Sequence, residues 1–313
     1  MKTSTNHACL QFKITLLFIP GLFHNLIENR KMEAETKPKN PIRSLARMDF
    51  SLDAMDPAIA RIVHPVLAAF SKYYYRANVE GAEHLTNKAS LMVATHNGIW
   101  HLADMVPLIT EFWNRFGPET PAHGLVHNAV LKAPGLGELI RRLGGLPASH
   151  EAGLAALRAD RPVLVCPGGD KDALKPFILR HTIHFENRRG FIKLAIRTQV
   201  PIIPIVSVGA HETIIVLNDG REMAKFLGFE KLFGIKSVPL ALSLPFGLSI
   251  AGVPSIPFPS KVVVRILPPI KFDEPPDAED DPDVVERCYK QVHSKMQTEL
   301  DDLASKRKRV FFG

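Results

Sequence analysis

Short apolar runs alternate with amphipathic stretches along the middle of the chain, and the two patterns predict different elements. An apolar run of roughly four to eight residues bounded by turn residues is typical of a buried strand, whereas apolar residues about three or four positions apart indicate a helix. Strands separated by helices favour an α/β fold with a mixed, largely parallel sheet flanked by helices. We predict strands at 91–94, 122–126, 162–166, 201–208 and 261–267, and helices at 55–76, 104–116, 152–158, 191–198 and 284–303. In the stretch 128–143, Pro134, Gly135 and Gly137 come first, and we predict a helix after them that closes at Arg141-Arg142.

Three of the predicted strands run directly into polar or glycine-containing turns. His96 follows the first strand, the pair Gly168-Gly169 follows the third, and Gly209 follows the fourth. Ligands of open α/β sheets bind beyond the carboxyl ends of the strands. We therefore expect these three turns to line one crevice.

The most specific chemistry lies in one stretch, which reads S-L-M-V-A-T-H-N-G-I-W-H-L-A-D-M-V-P-L. Pro107 is tolerated only in the first turn of a helix, so the helix begins near Asp104 and a loop precedes it. Asp104 is then free to fold back towards His96, and a histidine held by a carboxylate can act as a general base. Two simpler interpretations compete: Asp104 only caps its helix, or it pairs with His101.

The ends of the chain and one late segment differ in character from the main domain predicted at 51–275. Residues 1–50 form a leader and linker, whose interrupted apolar stretch indicates either a disordered extension or a membrane anchor. Residues 276–313 hold the last helix and a basic tail that is either solvated or in contact with anionic lipid.

No charge occurs in the 22 residues 238–259, but their prolines and glycines argue against a spanning helix. We expect an irregular apolar segment there, either buried or lying against lipid.

Composition and charge limit the classes of binding partner that the chain could have. The 313 residues are 46% hydrophobic and 23% charged, which is ordinary for a globular protein. A net charge of +7 and a pI near 9.3 suit an acidic partner such as anionic lipid or a nucleotide, but no nucleic-acid-binding motif occurs, so we predict no nucleic-acid partner. The three cysteines lie far apart, which favours a reducing compartment over a disulfide framework.

Several familiar catalytic sequences are absent. The chain has no G-x-S-x-G, no G-x-x-x-x-G-K-[ST] and no G-x-G-x-x-G. The histidine pairs His181/His184 and His123/His127 lack acidic or cysteine partners at useful spacing, so we predict no metal. Without a serine or cysteine nucleophile in a motif, direct attack by the hydroxyl of a bound substrate is the favoured route.

Four sequence blocks occur in an order that resembles the glycerophospholipid acyltransferase family. They are T-H-N-G after a strand, P-G-G, R-R-G-F-I-K-L-A-I and V-P-I-I-P-I-V, and the resemblance covers roughly residues 75–272. It implies a glycerolipid-acyltransferase-like fold and transfer of a fatty acyl group from a thioester to a hydroxyl. The family separates its histidine and aspartate by four residues, whereas seven lie between His96 and Asp104. The P-G-G block is similar to the diacylglycerol acyltransferase branch, and it lacks the arginine of the phosphate-acceptor enzymes.

The resemblance also implies a set of site residues. His96 would be the general base and Asp104 would orient it. The substrate-binding residues would be Asn97, Gly98, Gly168, Gly169, Lys171, Lys175, Arg188 and Arg189.

The implied partners are an acyl thioester donor, a lipid acceptor and a membrane surface. Acyl-CoA or acyl-ACP would be the co-substrate, no other cofactor is expected, and the enzyme would be membrane-associated on the cytoplasmic face. Two alternatives remain open because of the unusual spacing: a non-catalytic lipid-binding protein of the same fold, and a lipid hydrolase.

Overall fold

A mixed sheet forms the centre of the computed structural model, which describes residues 49–98, 101–220, 238–251 and 253–309. The strands found among these residues are β1 (Asn78–Glu80), β2 (Leu91–Ala94), β3 (His123–Val126), β4 (Gly145–Pro147), β5 (Val163–Val165), β6 (Ile202–Val208), β7 (Ile215–Val216), β8 (Leu240–Ser243), β9 (Gly247–Ile250) and β10 (Val263–Ile266). Seven of them form the central sheet in the order β1-β10-β6-β2-β5-β3-β4, and β7, β8 and β9 form a second, antiparallel sheet.

The directions of the strands confirm the predicted mixed, largely parallel sheet. Strands β6, β2, β5, β3 and β4 run parallel to one another. Strand β10 pairs antiparallel with β6, and β1 runs parallel to β10. Strands β10 and β1 therefore run in the opposite direction to the other five. The neighbours β6, β2 and β5 therefore end at the same edge of the sheet.

Helices cover both faces of the central sheet. They are α1 (Pro57–Ala69), α2 (Met105–Phe116), α3 (Asn128–Leu131), α4 (Leu136–Arg142), α5 (His150–Arg158), α6 (Gly169–Ala173), α7 (Gly190–Thr198) and α8 (Pro282–Lys306). Side chains of successive strand residues point to opposite faces, so Leu91 packs with α5, α7 and α8 while Met92 packs with α1 and α2. The result is an α/β/α arrangement with one apolar core on each side of the sheet.

Local sequence explains where several helices begin and end. The Ser149 hydroxyl accepts the Ala152 N–H at 3.1 Å and caps α5, as the sequence predicts. In the stretch 128–143, α4 begins after Pro134 and Gly135 and ends at Arg142, as predicted, and the short helix α3 precedes these two residues. The helix expected at 55–76 ends as a π-helical turn, Phe70–Tyr74.

The late apolar segment differs from its prediction. Residues 238–259 were expected to be irregular, but they contain the hairpin β8-β9. The prolines that argued against regular structure lie at its turn and beyond its strands, where no ladder hydrogen bond is lost.

The terminal regions are described in part. Of the predicted leader at 1–50, only Asp49 and Phe50 fall within the described residues. In the region 276–313, helix α8 contributes Val292 and Met296 to the same core as β2. Among the described residues, no helix has the length and hydropathy needed to cross a membrane.

Candidate active site

The loop after β2 carries His96 into the crevice at the carboxyl edge of the sheet. Gly98 ends its first turn at a φ of +78°, which favours glycine. A Cβ at this position would lie 2.8 Å from Thr213 Oγ1 and 2.9 Å from the Ala210 carbonyl oxygen. The turns after β2 and β6 are therefore in contact at this edge of the sheet.

His96 and Asp104 face each other across this loop. Their Nδ1 and Oδ1 atoms are 4.0 Å apart, and both atoms are buried with no hydrogen-bond partner among the described residues. The His96 side chain is 22% exposed although its Nδ1 is buried, so the Nε2 edge of the ring faces the crevice. The seven-residue separation thus still brings the two side chains together.

The Asp104 carboxylate is held by the loop that it closes. It lies at the N-cap position of α2, but its side chain caps no helical N–H; instead Oδ2 accepts the backbone N–H of Asn97 at 2.7 Å. The interpretation that Asp104 serves only as a helix cap is therefore wrong. Burial raises the pKa of Asp104 to about 6, and the charge of Asp172 adds to this, while His96 and the Asn97 N–H oppose it.

His101 does not pair with Asp104. Its Nδ1 lies 3.1 Å from Thr213 Oγ1, and its Nε2 lies 3.1 Å from both the carbonyl oxygen and the hydroxyl of Ser255. Burial lowers the pKa of His101, so the ring is neutral. The hydrogen bonds of the His101 ring connect the His96 loop to the segments that carry Thr213 and Ser255.

The side chain of Asn97 points into the interior, towards the central sheet. It is buried, and its Nδ2 donates to the Ser207 hydroxyl at 3.2 Å on the neighbouring strand β6. The predicted substrate-binding residue therefore contacts the sheet, and its backbone N–H orients Asp104.

A fully buried carboxylate, Asp172, was missed by the sequence reasoning. Its Oδ2 accepts the backbone N–H of His96 at 2.8 Å. Its Oδ1 accepts the Lys175 ammonium at 2.8 Å and the His184 N–H at 3.3 Å. Asp172 thus ties the loop of the candidate base to the segment after β5. No local pattern indicates this contact, because 76 residues separate Asp172 from His96.

The Pro-Gly-Gly block forms the other wall of the crevice. Gly169 has a φ of +54°, and a Cβ there would lie 2.9 Å from the Arg188 guanidinium. Its N–H donates to the Cys166 carbonyl oxygen at 3.1 Å, so this amide already has an acceptor. A Cβ at Gly168 would collide with the His184 carbonyl oxygen. Gly168 therefore allows the backbone at His184 to approach closely, and Gly169 leaves room for the Arg188 guanidinium.

Cys166 is not a candidate nucleophile. Burial and the nearby carboxylates of Asp104 and Asp172 raise the pKa of the Cys166 thiol well above its usual range. A thiol must ionise to act as a nucleophile, so this one remains inert.

Two of the predicted basic residues lie beside the Pro-Gly-Gly block. The Arg188 guanidinium donates to the Pro167 carbonyl oxygen at 2.9 Å, and Nη2 is 3.8 Å from the Asp170 carboxylate. The exposed Lys171 ammonium contacts Glu186 at 2.6 Å. Both side chains can still contact an anion at the crevice wall, since neither is buried.

The other two predicted basic residues have structural partners. Lys175 is buried and bonded to Asp172. The Arg189 guanidinium contacts Glu286 on α8 at 2.7 Å and lies 3.5 Å from the centre of the Tyr289 ring. These contacts hold the segment after β5 and the start of α7 in place, and they leave neither cation facing the crevice.

The described residues contain no group of three or more His, Cys, Asp or Glu side chains that could hold a metal ion. His123, one of the histidines considered for metal binding, instead has its Nδ1 3.0 Å from the Gly144 carbonyl oxygen.

Comparison with known proteins places this site in a family. A family model described as "Acyltransferase" matches residues 76–208, which include His96, Asp104 and the Pro-Gly-Gly block. An uncharacterised protein of Mycobacterium tuberculosis is 30% identical over 275 residues, which are 85% of this chain and 73% of that protein. The chain belongs to the glycerolipid acyltransferase family, so the resemblance inferred from the four sequence blocks is confirmed.

The protein is therefore an acyltransferase of lipid metabolism, with an acyl donor and a lipid acceptor as substrates. A Mus musculus protein named "DGAT1/2-independent enzyme synthesizing storage lipids" is 27% identical over 189 residues, which are 60% of this chain and 55% of that protein. A crystal structure of the 1-acyl-sn-glycerophosphate acyltransferase PlsC from Thermotoga maritima aligns with a TM-score of 0.49 and 16% identity, over 80% of this chain and 83% of that one.

Proposed function

We propose that this acyltransferase moves a fatty acyl group from acyl-CoA or acyl-ACP to a lipid hydroxyl, with His96 as the general base and Asp104 as its orienting carboxylate. One observation carries the proposal. The buried Nδ1 of His96 and the buried Oδ1 of Asp104 face each other at 4.0 Å at the carboxyl edge of the sheet, and neither has a hydrogen-bond partner in the described part of the chain. A short movement of the loop brings these atoms within hydrogen-bond distance, and catalytic hydrogen bonds are often long in free enzymes.

The mechanism follows from this arrangement. With the Nδ1–H directed at Asp104, Nε2 accepts the proton of the acceptor hydroxyl as its oxygen attacks the thioester carbonyl. The resulting imidazolium is stabilised by the Asp104 carboxylate. The tetrahedral intermediate collapses with cleavage of the C–S bond, and the proton on Nε2 passes to the leaving thiolate.

The Pro-Gly-Gly block would stabilise the negative oxygen of the intermediate. Backbone N–H groups aimed at such an oxygen are efficient donors in a site that excludes water. The N–H of Gly169 is bonded to Cys166, so the donors would be other amides of the block. Gly168 and Gly169 contribute by letting the thioester approach the backbone.

The acceptor is proposed to be a neutral glycerolipid hydroxyl, as in diacylglycerol. Lys175 and Arg189 are bound to carboxylates of the protein, so two of the four basic residues expected to bind substrate are not available to recognise a phosphate on the acceptor. Lys171 and Arg188 remain beside the block and suit the phosphates of the thioester donor. The name of the murine relative, an enzyme synthesizing storage lipids, agrees with a neutral acceptor.

The proposed location is the cytoplasmic face of a membrane. A long-chain glycerolipid acceptor dissolves in a bilayer, so the enzyme must reach it there. The two cysteines in the described part of the chain, Cys166 and Cys288, are free thiols, which agrees with a reducing compartment.

The test is an acceptor screen with purified protein and a labelled acyl-CoA, comparing diacylglycerol with lysophosphatidate. The variant His96→Ala should lose about 10²–10⁴-fold in kcat, the usual contribution of a general base. His84→Ala is the matched control, because His84 lies in the turn after β1 at the opposite edge of the sheet.

Three outcomes would contradict parts of the proposal. Full activity in His96→Ala would refute the mechanism, and a preference for lysophosphatidate would refute the neutral acceptor. Release of free fatty acid without any ester product would identify the chain as a lipid hydrolase.

A further inference from the structure

The small antiparallel sheet presents an apolar outer face. Leu242 of β8 pairs with Ile215 of β7 on one side and with Leu248 of β9 on the other. Residues paired across strands point to the same face, so these three side chains form one row. The opposite face is buried through Ala241 and Ser243. The large apolar side chains of β8 therefore lie on the exposed face of this sheet, and its small side chains lie on the buried face.

The turn of the hairpin extends this apolar face. All residues from 244 to 248 are exposed, including Phe246 at 56% and Leu248 at 51%. Ile256, also exposed, bridges to Leu244 through a 2.8 Å backbone hydrogen bond. Exposed apolar residues this close together are unusual on a soluble monomer and indicate a partner.

Helix α1 continues the same surface. The hydroxyl of Tyr74, at the end of the π-helical turn, donates to the carbonyl oxygen of Pro257, next to Ile256. The outer side of α1 and this turn exposes Val66 and Tyr73. An open groove of about 710 Å³ runs along it, lined by Pro65, Val66, Leu67, Ala69, Phe70, Tyr73 and Tyr74.

The surface adjoins the loop of the candidate base. His101 binds Ser255, which precedes Ile256, and it also binds Thr213, which precedes β7. Gly98 abuts Thr213. The loop that carries His96 therefore lies beside the apolar surface.

Charge is distributed around this surface in a way that suits a bilayer. The segment 238–259 carries no charge. At its end, the Arg307 guanidinium donates to the Lys261 carbonyl oxygen at 2.7 Å, which places the exposed Lys308 and Arg309 nearby. Basic residues flanking an apolar insertion contact anionic headgroups and contribute about 1 kcal/mol each.

We propose that the apolar surface formed by β7–β9, the turn at 244–247, Ile256 and the outer side of α1 docks into the lipid bilayer. The turn inserts its Phe246 and Leu248 side chains below the headgroups, and the crevice then opens towards the membrane. The proposal rests on the proposed function for the lipid nature of the acceptor, and otherwise on the exposure and charge of this surface. A protruding apolar turn fits a fluid bilayer better than a flat protein interface.

The test measures sedimentation of the full chain with phosphatidylcholine vesicles, prepared with and without phosphatidylglycerol. The double variant Phe246→Asp/Leu248→Asp should bind both vesicles at least about tenfold more weakly, because two apolar side chains no longer leave water. Leu139→Asp replaces a leucine on α4 that is 40% exposed; it is the control and should stay within about twofold. Lys308→Glu/Arg309→Glu should weaken binding only to the vesicles that contain phosphatidylglycerol.

Two results would overturn the proposal. One is vesicle binding by the hairpin variant that equals that of the unmodified chain, with thermal unfolding showing that both are folded. The other is a self-associated chain in analytical ultracentrifugation that the hairpin substitutions dissociate, without vesicle binding, since the surface would then bind a second copy.

The proposed function is tested separately with a short-chain, water-soluble acceptor. We expect the hairpin variant to retain its turnover of this acceptor while it loses activity on lipid in vesicles. If the unmodified chain binds vesicles through the hairpin but transfers no acyl group to any acceptor, the function fails and the docking surface stands.

Discussion

Replacing the buried Asp172 by asparagine tests how the candidate base is held. The carboxylate accepts three donors: the His96 N–H, the Lys175 ammonium and the His184 N–H. An amide of the same shape offers a single acceptor oxygen and adds donors of its own, so at least one of these contacts is lost. The Lys175 ammonium, which is only 4% exposed, is then left without its counter-ion.

The size of the effect follows from that buried charge. Breaking a buried ion pair by removing one partner typically costs about 3–5 kcal/mol. For a domain of this size, each kcal/mol lowers Tm by about 2–4 °C, so Asp172→Asn should lower Tm by about 10 °C. The double variant Asp172→Asn/Lys175→Met removes both charges and should recover most of this loss.

The assay is thermal unfolding of the single and double variants, together with kcat for acyl transfer. The double variant should still turn over more slowly than the unmodified protein, because the His96 N–H has lost its charged acceptor. Equal Tm values for the unmodified protein and Asp172→Asn would refute the reasoning. So would a double variant that is no more stable than the single one.

Three further predictions concern the walls and floor of the crevice. Because burial raises the pKa of Asp104 to about 6, kcat/KM should fall as the pH drops through that value and the carboxylate is neutralised; Asp104→Asn should lower activity and abolish this step. Gly98→Ala should cost about 1–3 kcal/mol, since alanine at φ +78° is strained and its Cβ meets Thr213, and circular dichroism thermal melts measure it. Arg188→Ala should raise the KM for acyl-CoA, whereas Arg189→Ala should lower Tm and leave that KM unchanged.

Each of these has an outcome that contradicts it. A kcat/KM profile that stays level below pH 6 would show that Asp104 does not orient the base. Unchanged melting of Gly98→Ala would show that the loop relaxes. A higher KM in Arg189→Ala alone would mean that the guanidinium leaves Glu286 to bind substrate.

The pairing of His96 with Asp104 was predictable because its determinants are local. An apolar run fixes β2, Pro107 fixes the start of α2, and the loop between them is short enough to bring the side chains together. Five of the seven strands of the central sheet were predictable for the same reason, because a local apolar run marks each of them. The three-residue strands β1 and β4 were not predicted, because they are too short to show such a run.

Contacts between distant parts of the chain were not predictable in this way. Lys175 and Arg189 were expected to bind substrate because their basic side chains follow the Pro-Gly-Gly block. In the structure, both side chains are paired with carboxylates of the chain itself. Arg189 binds Glu286, which lies 97 residues further along the chain. A single sequence shows that a cation is present, and it does not show which carboxylate the fold brings to it.

The hairpin β8-β9 shows a different limit. Its sequence L-A-L-S-L alternates large and small residues, the period of a strand. The prolines around it favoured an irregular segment over a strand. Because neither face of the strand is marked by charged residues, the sequence does not show which side is exposed.

The crevice is assembled from turns that follow three neighbouring strands, while the side chains that fill the core lie within the strands and helices. Most of the apolar core is thus encoded outside the turns, while a few residues that follow the strands, such as the buried pair Asp172 and Lys175, also stabilise the fold. Descendants of this scaffold can therefore change the length and composition of the turns around these residues, and with them the substrate that fits, without repacking the interior.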